Sequence, residues 1–142
     1  MAIRKELLDP GRDCCTHLNA LIAKLRDVKK SGCLNIFVYS PGQNSMDKKT
    51  NAEIHILLEL AKNNFDSFQR GLKNADDWQD CFSNPEFHER SIDIIGQRLH
   101  AINFNQSVLS MTTAIENINN DMHGIMETFY EFSCVEGPEE LQ

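Results

Sequence analysis

The longest regular pattern of apolar residues in this chain lies near its end, between Val108 and Phe132. Apolar side chains recur there at alternating intervals of three and four residues, at Val108, Met111, Ile115, Ile118, Met122, Ile125, Phe129 and Phe132. This heptad period is typical of a helix that buries one stripe along its whole length. The positions that flank the stripe are mostly small or neutral, so neighbouring helices can approach from both sides. We predict a helix over 107–134 that forms the central wall of an intramolecular core.

Three earlier stretches carry a helical pattern of the same kind, over about 10–31, 50–73 and 85–103. Asp9-Pro10 and Asn84-Pro85 predict the start of the first and third helices, because proline at the first helical position loses no hydrogen bond. Thr50–Glu53 has the sequence of a capping box and predicts the start of the second helix. On the third helix, Phe87 and Ile94 lie beside the seam that we expect to be buried.

The boundary between the third and fourth helices is predicted from a break in phase. The seam of the third helix, continued past Ile102, does not meet the seam that begins at Val108. Asn103, Asn105 and Ser107, which favour turns and helix caps, lie where the phase breaks. We therefore expect a tight reversal over 103–107. The alternative is one long helix with a phase shift, which would favour an elongated or domain-swapped dimer.

These elements predict an all-α fold, an antiparallel four-helix bundle with a long apolar crossover between helices 1 and 2. The crossover, Cys33–Lys49, begins with alternating apolar residues and turns at Pro41-Gly42. It is either a segment packed across the core or an exposed edge that meets a partner. Between helices 2 and 3, Trp78 and Phe82 are expected to plug one end of the core. We predict one domain over 1–136 and a disordered acidic tail over 137–142.

Charge is distributed unevenly along the chain, whose formal net charge is −7. Residues 1–50 contain nine lysines and arginines against five acids, whereas no lysine or arginine follows Arg98 and seven acids do. Either a basic first helix lies beside an acidic last helix, or the last helix offers an acidic face to a basic partner. Nucleic-acid binding is not expected, because it needs clustered cations.

The five cysteines predict free thiols in a reducing, cytoplasmic location, since they are odd in number and form no C-x-x-C pair. No signal peptide is expected, and the longest apolar run, Ile36–Tyr39, is too short to cross a membrane. Cys14 and Cys15 are expected in the first turns of helix 1. Cys14 lies on the apolar seam, and the sequence leaves open whether Cys15 is reactive.

Metal-binding chemistry is the enzyme-like alternative that the histidines raise. His55 and Glu59, and likewise His123 and Glu127, have the spacing of two ligands on one helical face, and His88 is a further candidate ligand. The heptad assignment places His123 and Glu127 on the outer face, and no glutamate stands three residues before any histidine, as a di-iron bundle would require. We therefore expect no metal and no cofactor.

No catalytic or cofactor motif emerges, so we expect a non-enzymatic protein–protein interaction module of the adaptor, inhibitor or dedicated-chaperone kind. Its partner would be another protein with a basic surface. The predicted contact residues are apolar ones in the crossover and acidic ones in the last helix: Leu34, Ile36, Phe37, Tyr39, Glu116, Asp121, Glu127 and Glu131. The alternatives are a hemerythrin-like or di-metal bundle and a homodimeric structural protein.

Overall fold

The computed structural model describes residues 3–30, 48–104 and 107–133. Within these ranges the chain forms four α-helices and no β-strand: α1 (Lys5–Lys30), α2 (Lys48–Asn74), α3 (Pro85–His100) and α4 (Val108–Tyr130). A short 3-10 turn, Trp78–Cys81, lies between α2 and α3. The all-α class and the four-helix bundle are confirmed. The apolar crossover and the tail over 137–142 lie outside the described residues.

The four helices pack as a ring in which each helix contacts the next and α4 closes against α1. The packing of α1 against α2 is the most extensive, and that of α3 against α2 is the least. Side-chain contacts show that α1 and α2 are antiparallel. On α1, Lys24 pairs with Glu53 of α2, whereas His17, which lies earlier on α1, bonds Asn64, which lies later on α2.

The predicted central wall is the apolar stripe of α4. Six of its eight seam residues are buried, and all of them contact the common core. The exceptions are Ile125, which is half-buried, and Phe132, which is partly exposed and lies beyond Tyr130, where α4 ends short of the predicted residue 134. Met126, outside the heptad seam, is buried as well and lies over Gly11 of α1. The wide stripe of α4 is therefore bundle core on its α1 side.

Helix α1 begins at Lys5, so the predicted start at Asp9-Pro10 is wrong and Pro10 lies inside the helix. The reason is the burial of Ile3 and Leu8, neither of which is exposed to solvent. Burying two such side chains stabilises the fold by about 3–6 kcal/mol, whereas an internal proline costs about 3 kcal/mol. The Ile3 amide also donates a 2.6 Å hydrogen bond to the Phe132 carbonyl, which fixes the start of α1 beside the end of α4.

The other predicted boundaries differ in outcome. Helix α2 begins at Lys48, so Thr50 lies within the helix and the predicted capping box does not mark its start. Helix α3 begins at Pro85, as predicted. It ends at His100, and the Ser107 hydroxyl accepts a 3.0 Å hydrogen bond from the Ser110 amide at the start of α4. Helices α3 and α4 are therefore separate, and the single long helix is excluded.

Trp78 plugs the end of the bundle at which α1 begins and α4 ends, as the sequence predicted. Its ring is 1% exposed and lies 5.3 Å from the Phe129 ring and 6.1 Å from the Phe82 ring, measured between centroids. The indole N–H donates to the Leu72 carbonyl over 3.0 Å. The one polar atom of this large side chain is therefore satisfied inside the core.

Candidate interaction surface

Two of the surface grooves along the flanks of α4 contain exposed residues singled out from the sequence. The first, which we call the α1–α4 groove, has a volume of about 670 Å³. The second, the α3–α4 groove, has a volume of about 420 Å³. Because the two grooves share α4, they bring its predicted acidic residues next to side chains of α1 and of α3.

The α3–α4 groove has the more apolar rim. Phe87 and Ile94, two turns apart on one side of α3, are 55% and 40% exposed. Gly124 and Ile125 of α4 form the opposite wall. A side-chain carbon added at Gly124 would meet no atom within 4 Å, so the groove is open there. The sequence placed Phe87 and Ile94 beside the buried seam, but α3 turns both of them outward.

Two of the four predicted acidic contact residues take part in ion pairs within the bundle. Glu116 accepts a 2.5 Å hydrogen bond from the Arg26 guanidinium of α1. Asp121 accepts a 2.9 Å hydrogen bond from Arg98 of α3. The Arg98–Asp121 pair lies at one end of the α3–α4 groove. These pairs match the interpretation that the acidic last helix complements cations within the same fold.

The other two predicted acids, Glu127 and Glu131, line the α1–α4 groove one turn apart. Both are exposed, and neither forms an ion pair within the described part of the chain. Across the groove, Arg12 is paired with Asp9 at 3.3 Å. Burial raises the pKa of Tyr130, and the nearby Arg12 cation offsets part of that rise. Glu127 and Glu131 are therefore the acids of α4 that are available to a cationic partner.

Neither cysteine of α1 has the character of a reactive thiol. Since α1 begins at Lys5, Cys14 and Cys15 lie in its third turn and not in its first turns, where the helix dipole would acidify them. Burial raises the pKa of Cys14 to about 12 and that of Cys15 to about 11. Both side chains are therefore protonated core residues at neutral pH.

His88 contributes an imidazole to the floor of the α3–α4 groove, inside a cluster of aromatic rings. Its centroid lies 4.3 Å from that of Phe82 and 5.9 Å from that of Phe129. The Nδ1 atom is buried and has no hydrogen-bond partner in the described structure. Desolvation lowers the pKa of His88, so the ring is neutral at pH 7.

The candidate metal ligands are not brought together. His55 stacks on Phe104 at 3.7 Å between centroids, and Glu59 is exposed on α2. His123 and Glu127 lie on the outer face of α4, as the heptad assignment predicted. Across residues 3–30, 48–104 and 107–133, no three His, Cys, Asp or Glu side chains converge in an arrangement that could hold a metal ion.

The predicted apolar contact residues of the crossover, Leu34, Ile36, Phe37 and Tyr39, lie outside the described residues and stay predictions. Within the described part of the chain, none of the helices combines the length and the apolarity that crossing a bilayer requires. Comparisons with protein-family models, curated proteins and solved structures find no match. The geometry of this chain is therefore the basis on which its function is proposed.

Proposed function

We propose that this protein is a non-enzymatic interaction module that binds an amphipathic helix of another protein in the α3–α4 groove. The observation that carries the proposal is the pair Phe87 and Ile94, exposed on one side of α3 along an open groove. Amphipathic helices bind in grooves of this kind by inserting apolar side chains spaced at i, i+3, i+4 and i+7. Burying a fully exposed side chain of this size contributes about 1.5–3 kcal/mol. Since Phe87 is 55% and Ile94 40% exposed, covering the rest of each would contribute about half of that to binding.

The charge of α4 determines the chemistry of the proposed partner. From Val108 to Tyr130 the helix has no lysine or arginine, and the unpaired carboxylates of Glu127 and Glu131 lie on its outer face. Both carboxylates line the α1–α4 groove, on the other flank of α4, so a helix seated between α3 and α4 would meet them only with long basic side chains that extend over α4. Lysines or arginines along one edge of that helix would accelerate its association and fix its orientation.

This function is that of an adaptor, inhibitor or dedicated chaperone, and it requires no cofactor. We also propose a reducing, cytoplasmic location for it. Cys14 and Cys15 are buried in the core as free thiols. The crossover over 33–49 remains a second predicted contact region.

Site-specific photo-crosslinking in the native cell tests the proposal directly. A photoreactive amino acid at position 94 should give a discrete adduct with one partner protein, in a segment with an amphipathic, basic helical pattern. The matched control is position 56, because Ile56 is 57% exposed on α2 and lies outside both grooves. The same adducts from both positions, or none from position 94, would contradict the proposal.

Two matched substitutions measure how much the groove contributes to the free energy of partner binding. Ile94→Ser should weaken binding of the partner identified by crosslinking by about three- to eightfold, because burying the exposed 40% of this side chain contributes about 0.6–1.2 kcal/mol. Ile56→Ser removes the same side chain from a different face and should leave recovery unchanged. If both variants bind equally well while retaining their melting temperatures, the groove is not the binding surface.

A further inference from the structure

Polar side chains at regular intervals form contacts between α2 and α3. Lys62 donates to the Ile102 carbonyl over 3.4 Å, and Asp66 contacts His100 at 2.8 Å. In the third contact, the Gln69 amide donates a 2.5 Å hydrogen bond to the Asp93 carboxylate. Positions 62, 66 and 69 lie on one face of α2. The next contact in this series would join residue 73 of α2 to residue 89 of α3, one turn before Asp93.

At this next position the two helices have side chains of opposite charge that do not form an ion pair with each other. Lys73 of α2 and Glu89 of α3 are both exposed, and both line the same pocket. Within the described part of the chain neither makes a hydrogen bond or an ion pair. A cation and an anion are thus left on opposite helices at the mouth of the pocket.

The pocket below them has a volume of about 190 Å³ and an apolar floor. The floor consists of Leu72, Trp78 and Ile92, which are between 1% and 3% exposed. The indole N–H of Trp78 is already bonded to the Leu72 carbonyl, so the floor offers ordered water little to bind. An apolar cavity of about 150 Å³ accommodates a benzene ring. The floor therefore suits one branched aliphatic or aromatic side chain.

We propose that this pocket binds a free α-amino acid with an apolar side chain. The side chain would occupy the floor, the carboxylate would pair with Lys73, and the ammonium group would pair with Glu89. Asp93 also lines the pocket, but its carboxylate accepts the hydrogen bond from Gln69, so Lys73 and Glu89 are the rim charges left for a ligand. A free amino acid presents an ammonium and a carboxylate on the carbon that bears the side chain, whereas the backbone at either end of a polypeptide presents one of the two. This inference does not depend on the proposed protein–protein interaction.

A set of four matched compounds tests which features of the ligand matter. L-Leucine has all three groups, 4-methylpentanoate lacks the ammonium, isoamylamine lacks the carboxylate, and glycine lacks the side chain. Trp78 is the only tryptophan of the chain, so its fluorescence reports on the pocket floor directly. Methyl NMR signals of Leu72 and Ile92 give a second readout. Leucine should give saturable changes in both signals, and each analogue should bind about fivefold more weakly or worse.

Two pairs of variants test the assignment of the rim. Lys73→Gln and Glu89→Gln should each weaken leucine binding by about fivefold. The controls Arg70→Gln and Glu86→Gln remove an exposed charge about one turn away, outside the pocket lining, and should leave binding unchanged. Lys73→Gln should also leave isoamylamine binding unchanged, because that compound has no carboxylate. No saturable change with leucine in either readout, or equal binding by all four variants, would overturn the proposal.

Discussion

The two flanks of α4 differ in how closely the neighbouring helix approaches. On the α1 side, Met126 lies directly over Gly11, and the Asn119 amide donates a 2.7 Å hydrogen bond to Asn19. On the α3 side, Gly124 faces open space and Phe87 remains largely exposed. One flank of α4 is thus committed to closing the bundle, whereas the other leaves apolar surface in contact with solvent.

The two glycines show why residue type alone does not distinguish these flanks. Both Gly11 and Gly124 lie inside helices, where glycine is unfavourable by about 1 kcal/mol relative to alanine. At Gly11 the missing side chain lets two helices pack closely. At Gly124 no packing within the described structure explains the glycine, and the residue lies in the groove where we propose that a partner binds.

Gly11→Ala tests the closed flank and should have the largest effect. The added carbon would lie 2.5 Å from the Met126 sulfur and 3.0 Å from a Phe68 ring carbon. Overpacking of this kind costs about 1–3 kcal/mol, and the gain in helix propensity recovers about 1 kcal/mol. We expect a net loss of about 1 kcal/mol, and at most about 2 kcal/mol, in the free energy of unfolding, measured by urea titration.

A double-mutant cycle with Met126→Ala provides the control for this clash. Because the shorter side chain makes room for the new carbon, Gly11→Ala should be less destabilising in the Met126→Ala background than in the wild type. A Gly11→Ala variant more stable than the wild type by the whole helix-propensity gain of about 1 kcal/mol would show that the close approach of α1 to α4 is not required.

The pH dependence of stability tests whether His88 is buried among the aromatic rings of the α3–α4 groove. The loss of unfolding free energy on acidification should be smaller than that caused by Gly11→Ala. Desolvation lowers the pKa of His88 below its ordinary value of 6.5, so the unfolded chain takes up a proton more readily than the folded one. Above pH 6.5 the neutral His88 ring imposes no loss of unfolding free energy. The unfolding free energy decreases as the pH drops through 6.5 toward the lower pKa of the folded state. Chemical unfolding between pH 7.5 and pH 5, at intervals of about half a pH unit, measures this slope.

The variant His88→Phe should lose this part of the pH dependence, since an aromatic ring without a titrating group occupies the same cluster. His123→Gln is the matched control, because His123 lies on the exposed face of α4. If His88→Phe and the wild type lose stability in parallel on acidification, the buried imidazole is not the cause.

Gly124→Ala tests whether the space on the open flank is needed for folding. Because the new carbon meets nothing within 4 Å, only the helix propensity changes. Unfolding free energy should increase by about 0.5–1 kcal/mol, opposite in sign to Gly11→Ala. In the crosslinking assay the same variant should bind its partner less well, since the groove is narrower. A destabilised Gly124→Ala variant would mean that α3 and α4 pack more tightly than the structure indicates.

Heptad periodicity was sufficient to predict the core and the helix count. The seam of α4, the separate α3 and α4, and the plug formed by Trp78 are all found as predicted. These features depend on local spacing of apolar residues, which a sequence displays directly. The outward position of His123 and Glu127 followed from the same heptad assignment.

The features that the sequence did not reveal depend on contacts between distant residues. Asp9-Pro10 has the local chemistry of a helix start, but the burial of Ile3 against the end of α4 extends α1 past it. The exposure of Phe87 and Ile94 depends on the rotation of α3 against α4, which a seam of apolar residues does not determine. The ion pair between Asp121 and Arg98 could not be predicted without knowing that α3 lies beside that part of α4.

The smallest expected effects concern the ion pairs, one on each flank of α4. Arg26–Glu116 ties α4 to α1 and Arg98–Asp121 ties it to α3, and all four side chains are at least one-third exposed. Arg26→Gln and Arg98→Gln should each lower the unfolding free energy by about 0.5 kcal/mol or less, and added salt should reduce both differences. Arg26→Gln should cost the more of the two, because Glu116 is 33% exposed and Asp121 50%. The reverse order would indicate that the α3 flank contributes more to closing the bundle than its packing suggests.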